Sequence, residues 1–202
     1  ILGNILGGVV TGFFLLAKLG TEHTLFIFSS IGILFALLVG KFKGKALPLY
    51  SRISFVAIIV ILNLIFFPKK GQLYQLIHFS PNKEFRNVHL EEGIEGVVVM
   101  YEHGKNQLDN YINGLPHGGR PGYHFFHKSL EGVSFVRNAE KVLVIGFGTG
   151  STVEALMKLD EVKSMTAVEL NGTLIRNLKK MEIFRNILNE PRLNLIIDDG
   201  RR

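Results

Sequence analysis

The sequence predicts an α/β chain with apolar helices in front of it. Three observations carry that prediction. Apolar runs fill the first third, a β-branched strand and turn pattern follows, and the last third alternates strand, glycine turn and helix. The expected organisation is a transmembrane region over 1–70, a β-rich subdomain over 71–138 and a partial nucleotide-binding sheet over 139–202.

The apolar runs cover 1–19, 24–40 and 53–67. About 20 helical residues cross a hydrocarbon core of about 30 Å. The first two runs are near that length. The third is shorter and would use Arg52 and Lys69 as snorkelling ends. Gly3 and Gly7, and Gly8 and Gly12, are four apart. Either they let another helix approach, or they reflect the abundance of glycine in membrane helices. The expectation is a multi-pass membrane protein.

The net charge of +6 does not point to nucleic acid. Much of it flanks the oily runs, as Lys41, Lys43, Lys45 and Arg52 on one side and Lys18, Lys69 and Lys70 on the other. Lipid headgroups account for such charges. The near balance leaves orientation undecided. The absence of cysteine excludes disulfides and thiolate metal sites.

Residues 96–102 read as a strand, 103–106 as a turn and 110–113 as the returning strand of a hairpin. Gly118 to Gly122 reads as a flexible loop, and 123–129 as the start of a helix. Next come a strand over 141–145 of the kind buried on both faces, a helix over 151–159, a strand over 164–170, a helix over 171–181 and a strand over 193–197.

The chemistry is expected at the carboxyl edge of this parallel sheet. Gly146, Gly148 and Gly150 let the backbone turn sharply beside a ligand, with helix amides beginning near Ser151 behind it. Glu169 ends the second strand, where a carboxylate can accept from both hydroxyls of a ribose. Asp199 and Gly200 end the third strand, where an adenine amino group would meet an acceptor. His124 and His127 could share a helix face, but no carboxylate ligand is near and no metal is expected.

Here a resemblance enters. KVLVIGFGTGSTVEAL, TAVEL and LNLIIDDGR resemble the nucleotide-binding half of the spermidine synthase family, a Rossmann-like sheet of the S-adenosylmethionine type. YINGLPHGGRPGYHFFHKSL resembles the family's segment leading out of its small β-domain. Membrane runs in front of such a domain resemble the membrane-fused bacterial members. The resemblance implies transfer of an aminopropyl group from decarboxylated S-adenosylmethionine to an amine such as putrescine. It implies that Gly146, Gly148, Thr149 and Gly150 line the nucleotide, Glu169 holds the ribose, Asp199 and Gly200 meet the adenine, and Tyr123 and His124 stand near the amine. Small amines and membrane lipid are the partners it implies, nucleic acid is not, and homo-oligomerisation stays open.

The sequence departs from the family on the amine side. Thr149 replaces an Asp, Pro121 and Gly122 stand where acidic residues precede the Tyr-His pair, and Phe125 replaces a Glu. The family's catalytic Asp follows a fourth parallel strand, so it is expected beyond residue 202. The chain therefore reads as a fragment that is inactive by itself, its first strand left with an open edge. The neutral Thr149 keeps two other readings in play: a methyltransferase-like user of S-adenosylmethionine, and a non-catalytic membrane sensor of nucleotide. A nicotinamide-dependent enzyme fits less well, because Ser151 stands where that fingerprint has its third Gly.

Overall fold

The computed structural model describes residues 1–39, 41–42, 45–46, 48–69, 71–78, 87–104, 107–136 and 138–201. They fall into two compact units, Ile1–Ile77 and His78–Arg202.

In the first unit, α1 (Leu2–Val9) runs through a π-helical stretch, Val10–Leu15, into α2 (Leu16–Val39). Only Gly20 leaves helical geometry, at φ 82 and ψ 173. A glycine is what that conformation requires. A two-residue ladder, β1 (Lys41–Phe42) with β2 (Lys45–Ala46), precedes α3 (Leu49–Phe66) and α4 (Gln72–His78).

Polar side chains tie α2 to the rest of this unit. Ser29 donates to Asn63 Oδ1 at 3.1 Å and accepts from its Nδ2 at 2.9 Å. Such hydrogen bonds hold apolar helices together where the hydrophobic effect cannot discriminate between them. Phe26 and Phe67 meet edge to face at 5.1 Å. Buried Glu22 accepts from the Gly71 amide at 2.9 Å.

This corrects the expectation of three membrane-crossing helices. Among the described residues, one helix, Leu2–Ala36, is long and apolar enough to cross a membrane: 35 residues, mean hydropathy 1.6, with 0% of its apolar window buried. Tyr50–Phe66 is apolar but shorter. The first two runs are joined by a kink at Gly20, and Thr21, Glu22 and His23 are helical on its far side. Thr24 donates to the Gly20 carbonyl at 2.7 Å and Glu22 finds its partner inside the unit. A multi-pass arrangement is thus not supported. A Cβ on Gly3, Gly7, Gly8 or Gly12 would meet nothing within 4 Å, so no described helix uses those faces. Lys43 and Lys70 lie outside the described residues.

The second unit opens with an antiparallel sheet in the order β3 (Asn87–Gly93), β4 (Gly96–Gly104), β5 (Gln107–Ile112), β6 (Leu115–Arg120). The expected hairpin is its middle pair, with Lys105 and Asn106 of the expected turn outside the described residues. The stretch expected as a flexible loop is in part strand: Gly118, Gly119 and Arg120 belong to β6. Asn113 and Gly114, at φ 51 and 80, form the tight turn that brings β6 back onto β5.

After α5 (Tyr123–Ser134), the parallel sheet runs β7 (Lys141–Ile145), β8 (Ser164–Glu169), β9 (Leu193–Ile197), with β8 central. Between strands lie α6 (Ser151–Met157), α7 (Gly172–Leu178) and α8 (Arg185–Leu188). Val144, Met165 and Ala167 pack with Val153, Leu156, Leu174, Leu178 and Ile187 in one core. Each Val, Leu, Ile or Met among them contributes about 1.5–3 kcal/mol when fully buried. Leu143 and Ile145 alternate to the other face and are exposed. The expectation that β7 is buried on both faces is corrected here, since the described helices cover only one.

Helix α7 also seats the antiparallel sheet. Asn177 donates to the carbonyls of His89 at 3.2 Å and Val98 at 3.3 Å, and Lys180 pairs with Glu91. Gly93 lets Thr173 come close: a Cβ there would lie 2.2 Å from its hydroxyl oxygen. Thr173 donates to Glu95 Oε2 at 2.6 Å, with Arg176 3.6 Å from the same oxygen. Burial pushes the Glu95 carboxyl up, but Thr173, its own backbone amide and Arg176 together hold it below the usual value of 4.5. A lowered carboxyl stabilises the fold above its unfolded pKa, and that contribution disappears as pH falls through the lowered value. Glu95→Gln is therefore expected to flatten the loss of melting temperature as pH falls below 4.5 through the lowered carboxyl. An unchanged acid limb in thermal melts would show that the contact contributes nothing.

Candidate functional site

Strand β7 delivers the chain to Gly146, whose amide donates to Val168 O at 2.8 Å and extends the ladder by one bond. The turn then needs three positive φ values: 87 at Gly146, 55 at Gly148 and 75 at Gly150. A side chain would be strained at each. Phe147, buried at the turn's centre, ties it to the core. The Gly150 amide closes the turn onto Phe147 O at 2.9 Å, and Glu154 N to Gly150 O at 2.8 Å starts α6. A Cβ on Gly146 or Gly148 would meet nothing within 4 Å, so the turn presents bare backbone at the sheet edge.

Glu169, at the end of β8, is 8% exposed. Its Oε2 accepts from the amides of Phe147 at 2.8 Å and Gly148 at 3.1 Å. Its Oε1 accepts from Asn171 N at 2.8 Å. Asn171 in turn caps α7, its Oδ1 accepting from Leu174 N at 2.9 Å. One carboxylate thus joins the glycine turn, the second strand and the start of the next helix.

The third element reaches the same edge. Asp198 N donates to Glu169 O at 3.1 Å, carrying the β8–β9 pairing past the strand. Gly200 crosses back over β7, where a Cβ would lie 3.0 Å from Ile145 Cγ2. The Asp199 carboxylate is turned to Arg201, accepting from Nη2 at 2.5 Å and from the Arg201 amide at 3.0 Å. The Arg201 guanidinium and amide hold the Asp199 carboxyl below its usual range.

The remaining expected residues divide. Thr149 is buried and faces inward, its hydroxyl 3.4 Å from Gly119 O in β6 and 3.4 Å from Ser151 Oγ. Tyr123 is exposed and lines a cavity of about 510 Å³ with Phe126, His127, Ser151 and Lys158. His124, also exposed, packs its ring edge-on to Phe125 at 5.7 Å. Arg120 went unnoticed in the sequence because Gly119 and Pro121 make its surroundings read as loop. Its Nη2 donates to Glu154 Oε2 at 2.7 Å and its guanidinium lies over Phe184 at 5.2 Å. A lone Arg ahead of a helix whose one charged side chain is Glu154 is the signal that could have found it.

Part of the chain matches known proteins. Residues 124–202 match the Spermine/spermidine synthase domain. The chain is 28% identical over 109 residues to polyamine aminopropyltransferase 1 of Pseudomonas aeruginosa, covering 52% of this chain and 38% of that one. It is 36% identical over 83 residues to the polyamine aminopropyltransferase of Korarchaeum cryptofilum, covering 39% and 26%. The solved spermidine synthase of Thermotoga maritima aligns with a TM-score of 0.49 at 21% identity, covering 58% of this chain and 42% of that one. The chain thus matches less than two fifths of the length of these curated relatives, which are transferases.

The turn itself gives a stability test. A Cβ on Gly150 would lie 3.1 Å from Phe147 Cζ and 3.2 Å from Ile187 Cγ2, on a backbone at φ 75. Gly150→Ala is expected to destabilise the second unit by about 1–3 kcal/mol, read in urea melts. A neutral substitution would mean the turn has room that this geometry denies it.

Proposed function

We propose that the carboxyl edge of β7–β9 binds the adenosine part of decarboxylated S-adenosylmethionine, and that the chain supplies the nucleotide-binding half of a polyamine aminopropyltransferase. In this reading the Gly146–Gly150 turn passes beside the nucleotide, Glu169 takes the ribose hydroxyls, and Asp199 with Gly200 takes the adenine edge. Tyr123 and His124 belong to the amine side, where putrescine or a similar amine would enter. The observation that carries the reading is Glu169: a buried carboxylate at a strand end, in direct hydrogen bond with a glycine turn of bare backbone. The relatives' shared chemistry supports the donor, and the Leu2–Ala36 helix, with 0% of its apolar window buried, supports attachment to a lipid membrane.

Thr149 favours a second reading. Its side chain is neutral, buried and directed at Gly119 O, so it offers no charge to a cationic amine. A methyltransferase-like use of S-adenosylmethionine needs no such charge.

Calorimetric titration of the chain with decarboxylated S-adenosylmethionine, S-adenosylmethionine and putrescine separates the two. Preference for the decarboxylated form favours aminopropyl transfer; preference for the intact one favours the second reading. Glu169→Ala is expected to weaken either nucleotide by about 100-fold, the equivalent of two hydrogen bonds to a charged group. Unchanged affinity in that variant would refute the ribose assignment.

A further inference from the structure

We infer that Glu169 is the positioning residue that clamps the Phe147–Gly148 turn, and that a ribose diol reaches its carboxylate only by displacing one of those two amides. The second half of the inference rests on the nucleotide reading above; the first half does not.

The argument is one of hydrogen-bond capacity. An ionised carboxylate accepts at about four lone-pair positions. Three are filled: two on Oε2 by Phe147 N and Gly148 N, one on Oε1 by Asn171 N. A ribose diol brings two hydroxyl donors. One can use the free position on Oε1, and the other must take a place already held. Asn171 is the harder donor to remove, because its side chain caps α7 and its backbone begins that buried helix. The turn is the softer side. Gly146 and Gly148 face open space, and Gly148 makes the longest of the three bonds, 3.1 Å. The group that reads the ligand is then the group that holds the turn closed without it. Ligand entry and turn movement become one event.

The clamp is tested on the full chain without ligand, by amide hydrogen exchange at Phe147, Gly148 and Asn171. Glu169→Ala is expected to speed the Phe147 and Gly148 amides by about 10-fold or more while the β9 amides keep their protection. If the Ala variant loosens the whole unit, Glu169→Gln keeps the shape and removes the charge, and at least one of the three amides should still exchange severalfold faster. Wild-type exchange at all three in the folded variant would overturn the clamp.

Displacement is tested by amide proton shifts with adenosine and 2′-deoxyadenosine as probes. Adenosine should release one of the two turn amides from the carboxylate. The deoxy compound, with one hydroxyl fewer, should bind more weakly and leave both in place. Both amides still bonded with adenosine bound would overturn displacement while the ribose reading stands. Equal binding of the two nucleosides, or binding of neither, would sink the ribose reading and displacement together, and the ligand-free exchange would still decide the clamp.

Discussion

The candidate site depends on one buried carboxylate. Glu169 is 8% exposed, and an ionised side chain so placed costs several kcal/mol unless its oxygens are satisfied. Here backbone amides satisfy them, from two segments that are distant in sequence. Phe147 and Gly148 come from the turn after β7, Asn171 from the residues before α7. The strand pairing Ile145 with Val168 brings both within reach, and Phe147 and Leu174 hold them there through the core. A glutamine would present one acceptor oxygen and an NH2 group to three N–H donors. The carboxylate therefore has a structural role as acceptor.

Much of this edge was legible in the sequence. KVLVI and LNLII are β-branched or apolar runs bounded by turn residues, and both strands have the expected limits. The glycines flag the turn because few other residues tolerate positive φ. The antiparallel sheet was less legible. Strand β3, NVHLEEG, lacks alternation, and β6, LPHGGR, carries a Pro and two Gly, residues that ordinarily mark loops. Both become strands through their neighbours: β3 by a full register on β4, and β6 through the Asn113–Gly114 turn and an irregular pairing with β5. Tertiary pairing overrode local preference. The direction of Thr149 was beyond reach for a similar reason, since it depends on β6 passing behind the glycine turn.

The N-terminal unit shows a different limit. Counting apolar residues separates runs at polar interruptions, and the interruption at Thr21, Glu22 and His23 reads as a connector. Those residues instead stay helical, because Glu22 meets Gly71 and Thr21 meets Tyr74 inside the unit. Whether a polar group finds a partner is something composition does not record. Gly20, at φ 82 and ψ 173, still kinks the chain just before those residues, so the two apolar stretches meet at a bend.

The same logic bears on Thr149. A carboxylate in place of Thr149 would be the simplest way to supply charge for a cationic substrate. Yet that side chain is buried, and its nearest polar neighbours are the Gly119 carbonyl and the Ser151 hydroxyl. A carbonyl and a carboxylate are both acceptors, so they would oppose each other where a hydroxyl now donates. The mixed hydroxyl and carbonyl environment suits a neutral donor. Thr149 and the approach of β6 thus fit each other as donor and acceptor. The edge at Glu169 shows the converse match, with the carboxylate accepting where the turn amides donate.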